Sequence, residues 1–477
     1  MKTIYQSVWI KYGFWLVSGL ILYLLVKLSP GVASNAFFFT LLCFYLLLLP
    51  GWLLFGFLKV NLEDRIGRFL AYFALGLSFY FVLSFIAIFA GISLASLSIV
   101  IFILLAGLLI TSLLLALCRN NQKPFYAVGF NRLENLYFIL PVAIGAFILW
   151  VVYLKGANLN GDPYLHLSII RKALDGTSLS SRDLALTKTQ FINPAYVYPV
   201  WHIFLAFLSK ISHLSIFQVW SNILILLTLI SFLVWYYFSK VLFQKTSWTI
   251  LALSLFMIFV FYGGPGYLFT RLGVPDTFSQ LILLPLGLAF ALKYILDHKP
   301  DKKILIINFL LAFILLVLHG PHYFYLVVST SFFGILYAAT HWQDQDYKPT
   351  LWKFLKVFLV ELAALILIGA TIELRSHALS VAIIEFYKSP SGGVIFSTSF
   401  QKFGLVYKYG FLLLPLVFLF WRSRRLLFIP ATMLLVPLIY WTPLQSIFNK
   451  SAHDRSRAFR PKTHQTFCFI FKRVHLF

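Results

Sequence analysis

Apolar runs alternate with short polar turns from the first residues to about residue 443. A hydrocarbon core takes roughly 20 apolar residues per helix. Runs near 12–28, 36–58, 69–90, 94–117, 135–154, 218–239, 248–265, 278–296, 304–318, 323–340, 355–371, 409–421 and 426–443 meet or approach that length. Period-2 alternation is missing, so the pattern predicts an all-α polytopic integral membrane protein with about thirteen transmembrane helices. His319-Gly-Pro-His322 divides one long apolar stretch into two spans. The 12–28 run is too long for a removed signal peptide and lacks a small-residue cleavage site, so it reads as a retained anchor.

The turns assign the two ends of these helices. Lys and Arg concentrate on cytoplasmic loops. Starting with the N-terminus inside, alternate turnarounds carry Lys59, Arg65 and Arg68, then Arg119, Lys123 and Arg132, then Lys240 and Lys245. Lys293, Lys299, Lys302 and Lys303 follow, then Lys348, Lys353 and Lys356, then Arg422, Arg424 and Arg425. The opposite turns 29–35, 91–93 and 319–322 carry no Lys or Arg, and 266–277 carries only Arg271. The long loop 155–217 is therefore expected on the outer face, with two horizontal helices resting on the surface there. One spans 163–175, with Leu165, Leu167, Ile169, Ile170 and Leu174. The other opens at Tyr196-Val-Tyr-Pro-Val-Trp-His202 and runs to about Ile211, too short to span a bilayer. The chain divides into N-terminal membrane helices (1–134), a membrane core (135–443) holding this loop, and a basic, unpatterned tail (444–477) that reads as truncated or altered.

Composition agrees and removes alternatives. With 61% hydrophobic and 11% charged residues and a mean hydropathy of +0.88, the chain is far too apolar for a soluble domain. Its 52 Phe, 25 Tyr and 12 Trp suit lipid-facing surfaces and interfacial belts. A net charge of +24 would suggest nucleic acid in a soluble protein, but these charges sit in membrane turns and no basic patch is interleaved with stacking aromatics. No nucleic-acid partner is expected. Cys43, Cys118 and Cys468 match no disulfide or metal spacing. No His-x-Glu-x-x-His, Cys-x-x-Cys or glycine-rich phosphate cradle is present, so no dedicated metal site is expected.

Candidate chemistry collects on the outer side. Asp162 and His166 are four residues apart, on one side of a helix at the membrane boundary. Asp162 is the first acid of the loop and the candidate base. Pro163 after it also suits a helix cap, with proline at the favoured first position. His166 and His202 read either as phosphate ligands or as fillers of amphipathic helices. Arg171 and Lys172 read as donor-phosphate contacts or as contacts to lipid head groups. Arg271 and Asp276 stand at the mouth of a span, Asp276 as a second carboxylate or a cap. His319 and His322 flank a turn where a phosphate can be held. Glu373, Arg375, His377 and Lys388 belong to the last outer loop, as solvated residues or as a closure over substrate. Glu361 lies inside an apolar span, where acids are costly and usually functional, or else snorkels to the inner boundary near Lys356 and Trp352.

The Asp162…His166…Arg171-Lys172 loop and the Tyr198-Pro-Val-Trp-His202-Ile-Phe-Leu-Ala-Phe-Leu-Ser helix after it resemble the GT-C superfamily of polytopic glycosyltransferases. The resemblance covers roughly residues 135–340. It departs from the common pattern in placing the acidic loop after the fifth span, not the first. It implies transfer of a sugar from a polyprenyl-phosphate donor to an envelope glycan, lipid or protein acceptor on the non-cytoplasmic face. Asp162 would act as base and cations would hold the phosphate leaving group. No cofactor is required on this reading, although Asp162 and Asp276 can share a divalent cation as in some members of that superfamily. A bacterial cell membrane is the expected location, with membrane lipids as further partners. A flippase for lipid-linked glycans and a polysaccharide polymerase or ligase are the competing functions. The concentration of polar residues at span ends favours chemistry over transport, which needs broken helices and ionisable groups near the midplane.

Overall fold

A computed structural model describes residues 2–28, 35–118, 139–157, 159, 162–180, 184, 197–262, 267–375, 420, 423–429 and 431. Among these residues the regular structure is helical and no strand occurs. The helices are α1 (Lys2–Leu28), α2 (Ala36–Leu58), α3 (Arg65–Ala90), α4 (Leu94–Cys118), α5 (Ile139–Lys155), α6 (Asp162–Asp175) and α7 (Val200–Ser212). They continue as α8 (Ile216–Phe243), α9 (Thr246–Tyr262), α10 (Pro275–Leu296), α11 (Ile304–Leu318), α12 (Gly320–Thr340) and α13 (Tyr347–Arg375).

The protein is a polytopic membrane protein. Seven helices among the described residues (α2, α3, α4, α8, α10, α12 and α13) are long and apolar enough to cross a bilayer. The runs expected at 12–28, 135–154, 248–265 and 304–318 lie in α1, α5, α9 and α11, with apolar segments of 10–17 residues among the described residues. α11 has the bounds expected of it, and its 15 residues reach only about 22 Å at 1.5 Å per residue, short of a hydrocarbon core of about 30 Å. His319-Gly320-Pro321 ends it and restarts the chain as α12, with Pro321 in the first turn, where its missing N–H costs nothing. The spans expected at 409–421 and 426–443 fall outside the described residues, apart from 420 and a few positions between 423 and 431.

Two prolines show how the helices lock together. Pro50 lies inside α2 and gives no N–H to the Leu46 carbonyl one turn earlier. The Tyr80 hydroxyl of α3 donates to that carbonyl at 2.9 Å. Pro285, inside α10, leaves the Leu281 carbonyl in the same position, and the Trp235 indole of α8 donates to it at 3.0 Å. The backbone there widens into a π-helical turn over Ser279–Leu283, the local adjustment by which a membrane helix accommodates proline. In both cases an aromatic donor from a neighbouring helix replaces the missing amide.

Polar groups segregate to the two ends of the bundle. At one end Asp64 caps α3 by accepting from the Gly67 N–H at 2.9 Å and pairs with Lys240. Burial works against its ionisation, but Lys240 and the helix amides outweigh burial and hold the carboxyl below its usual range. At the same end Asp301 accepts from the Asn61 N–H at 2.6 Å, and Lys303 donates to the Lys59 carbonyl at 2.6 Å. Arg424 bridges Asp344 and Asp346 at 2.9 and 3.3 Å. Basic turns grouped together by their sequence alternation thus touch one another. Between the ends, Glu361 is fully buried in α13, where it accepts from Thr330 of α12 at 2.9 Å and Asn308 of α11 at 3.4 Å. Polar side chains of this kind join membrane helices that have no hydrophobic drive to associate.

Candidate functional site

The other end holds the candidate site, built on α6 and α7. α6 is amphipathic: Pro163, His166, Leu167, Ile170 and Ala173 are buried at helical spacing, while Tyr164, Ser168, Arg171 and Asp175 face out. α7 departs from the expectation of a helix resting on the surface. From Val200 to Ser209 every residue is buried, because all but His202 and Ser209 are apolar and neighbouring helices enclose the helix. Leu179, following α6, donates its N–H to the Ile92 carbonyl in the α3–α4 turn at 3.0 Å, which ties the loop to that end of the bundle.

The two loop histidines meet. His166 Nδ1 and His202 Nε2 lie 2.9 Å apart, one donating to the other, with the rings stacked and each residue only 2% exposed. The Trp220 ring of α8 stacks on His166, with ring centroids 6.0 Å apart. Trp220 in turn lies against Gly273, where a Cβ would come within 2.9 Å of the indole. The neighbouring Trp201 indole of α7 donates to the Gly273 carbonyl at 2.7 Å and stacks on Phe278. Glycine suits position 273 because a Cβ there would press on the Trp220 indole.

Three residues beyond Gly273 in sequence, the carboxylate of Asp276 meets both histidines of the α11–α12 turn. His319 Nε2 is 3.2 Å from Asp276 Oδ1, and His322 Nε2 is 3.7 Å from the same oxygen. The imidazole centroids are 4.2 Å apart. The Asp276 side chain is 57% exposed, whereas those of His319 and His322 are largely buried behind it. Burial pushes the His319 imidazole below its ordinary value, and Asp276 offsets this only in part.

The expected site residues therefore divide. Asp276, His319 and His322 come together; His166 and His202 form a second, buried pair reached through Trp220 and Gly273. α6 begins at Asp162, whose side chain lies outside the described residues, as do the side chains of Glu373 and Arg375 and the whole of His377 and Lys388. Arg171 pairs along its own helix with Asp175. Lys172 stands one position on, and Arg271 lies in the turn leading into Gly273. Sequence reasoning missed Trp220, Trp201 and Gly273. Nothing in their spacing marks them, because their contacts are made between separate elements. A cavity of about 350 Å³, lined by Asp297, Asp346, Lys353, Arg424 and Arg425 among others, lies at the opposite end, where its charges pair with one another.

The buried imidazoles give a pH prediction. Burial, and then the neighbouring His166, hold the His202 pKa well below its ordinary 6.5, so the folded state keeps this ring neutral while the unfolded chain protonates below about pH 6.5. The unfolded state then binds more protons, and stability falls as the pH drops. The His202 contribution to thermal stability in detergent should be constant above about pH 6.5. Below it the protein should lose up to about 1.4 kcal/mol per pH unit for each such imidazole. His202→Asn should flatten the slope; an identical acid profile for wild type and variant would show that His202 is not held neutral.

No curated protein and no solved structure matches the chain. Residues 44–447 match the family of unknown function DUF6541, and the chain belongs to that family.

Proposed function

We propose that this protein is a membrane glycosyltransferase. It moves a sugar from a polyprenyl-phosphate-linked donor to an envelope glycan, lipid or protein acceptor on the non-cytoplasmic face of a bacterial cell membrane. In this reading the N-terminus lies in the cytoplasm and the basic end of the bundle faces inside. The observation that carries the reading is the gathering of Asp276, His319 and His322 beside α6 and α7, at the end of the bundle opposite the basic turns. The head group of a lipid-linked donor lies at that depth, and Asp162 at the start of α6 is the base for the acceptor hydroxyl. The buried His166–His202 pair serves as support that fixes α6 against α7. Arg171, Lys172 and Arg271 are the cations assigned to the leaving phosphate in this reading.

The direct test places the purified full chain in liposomes with a panel of radiolabelled polyprenyl-phosphate hexoses and pentoses and an envelope extract as acceptor. Label should pass from the lipid to the acceptor and release polyprenyl phosphate. Label that crosses the bilayer while still bonded to its lipid would overturn the enzyme in favour of a flippase. Label left in place with every donor would overturn both.

A further inference from the structure

We propose that Asp276, His319 and His322 form a three-ligand site for a divalent transition-metal cation, with the remaining coordination position open to solvent. The inference stands apart from the glycosyltransferase reading, since it concerns only whether these side chains bind metal.

The geometry suits such an ion. A tetrahedral zinc with bonds of about 2.0–2.2 Å holds its ligand atoms roughly 3.4 Å from one another. The two imidazole nitrogens stand 3.2 and 3.7 Å from one carboxylate oxygen, and one donor atom from each of the three residues lies within 4.8 Å of the others. An ordinary charge-assisted hydrogen bond to a carboxylate would draw the nitrogen to about 2.7–2.9 Å. Here neither histidine comes that close, and both direct Nε2 at the same atom. The Nδ1 atoms of both rings have no hydrogen-bond partner among the described residues, so ligation through Nε2 places each ring proton on an Nδ1 that lacks the acceptor ligating histidines usually have.

The ligand set also selects the ion. Two imidazoles and a carboxylate suit zinc and its first-row neighbours, whereas magnesium and calcium take oxygen ligands. His₂-carboxylate sites with a vacant position are the catalytic arrangement, because a structural zinc site fills all four positions with protein. The exposure of Asp276 puts the open position toward solvent, where water or a substrate oxygen can enter. The ligands are pre-positioned by the fold: His319 and His322 by the Gly320-Pro321 break between α11 and α12, and Asp276 by the first turn of α10, which follows Pro275.

The test is metal stoichiometry on the purified full chain in detergent. After chelation, dialysis against zinc chloride or cobalt chloride and removal of free ion, wild type should retain one ion per chain, with excess magnesium failing to displace it. Cobalt should give the visible absorption bands of a four-coordinate site. Asp276→Asn, a largely exposed position that tolerates the change without unfolding, should bind roughly 100-fold more weakly, and His319→Ala with His322→Ala should not bind. Size-exclusion profiles verify that each variant is folded. No retained zinc in wild type would overturn the site. Equal retention by Asp276→Asn and the double histidine variant would place the metal elsewhere and overturn it as well.

Discussion

Gly76→Ala is expected to cost on the order of 3 kcal/mol or more and to lower sharply the amount of folded protein recovered from membranes. A Cβ at Gly76 would lie 1.7 Å from the Leu47 carbonyl oxygen of α2, and a Cβ at Gly51 would lie 1.7 Å from the Tyr72 carbonyl oxygen of α3. Both obstacles are backbone, so no rotamer change relieves them, and the two helices must separate. Separation also withdraws the Tyr80 hydroxyl from the Leu46 carbonyl, and in an apolar surrounding an unpaired carbonyl is expensive. Small residues at the crossing are therefore what permit α3 to repair the break that Pro50 makes in α2. Gly56, in α2, supplies the control, because a Cβ there meets nothing. Gly56→Ala should be neutral or stabilising by up to about 1 kcal/mol through helix propensity. The comparison is made by thermal unfolding in detergent. A Gly76→Ala midpoint as high as that of Gly56→Ala would mean that α2 and α3 do not cross backbone to backbone.

The same crossing marks the limit of what the chain discloses when read as a string. Hydropathy located the apolar helices because burial in lipid is a property of each segment alone. The alternation of Lys and Arg grouped Lys59, Lys240, Lys303 and Arg424, and these groups share one end of the bundle. Length was read less well. α11 keeps the bounds the pattern gave it, Ile304–Leu318, but at 15 residues it is shorter than a full crossing. Partners across helices were not legible. Nothing in the local sequence of Pro50 points to Tyr80, nothing near Glu361 points to Thr330 and Asn308, and α7 gave no sign that it would be enclosed. The same holds at the site. His319 and His322 stood out because they flank a Gly-Pro turn, and Asp276 because it heads a span. Their convergence depends on α10 and the α11–α12 turn ending at the same level, which no spacing rule expresses.

Asp162→Asn is expected to lower sugar transfer by about 100- to 10,000-fold, the usual contribution of a positioned general base, while membrane abundance and thermal midpoint stay unchanged. The choice of asparagine separates two roles that the sequence leaves superimposed. In the sequence Asp162 precedes Pro163, the pattern of a helix cap followed by proline in the first turn, and α6 begins at Asp162. Asparagine caps a helix about as well as aspartate, so a residue that only caps is replaced without consequence. It cannot accept the proton of an attacking hydroxyl, so a residue that serves as base is not. Asp162→Ala removes both functions and should add a stability cost of about 1 kcal/mol from the lost cap. Transfer measured per folded molecule distinguishes the cases. A catalytic Asp162 gives two variants equally inactive but unequally stable. A capping Asp162 gives an active asparagine variant and an alanine variant impaired only by its lower yield; that outcome would remove Asp162 from the chemistry and leave Asp276 as the carboxylate to test next.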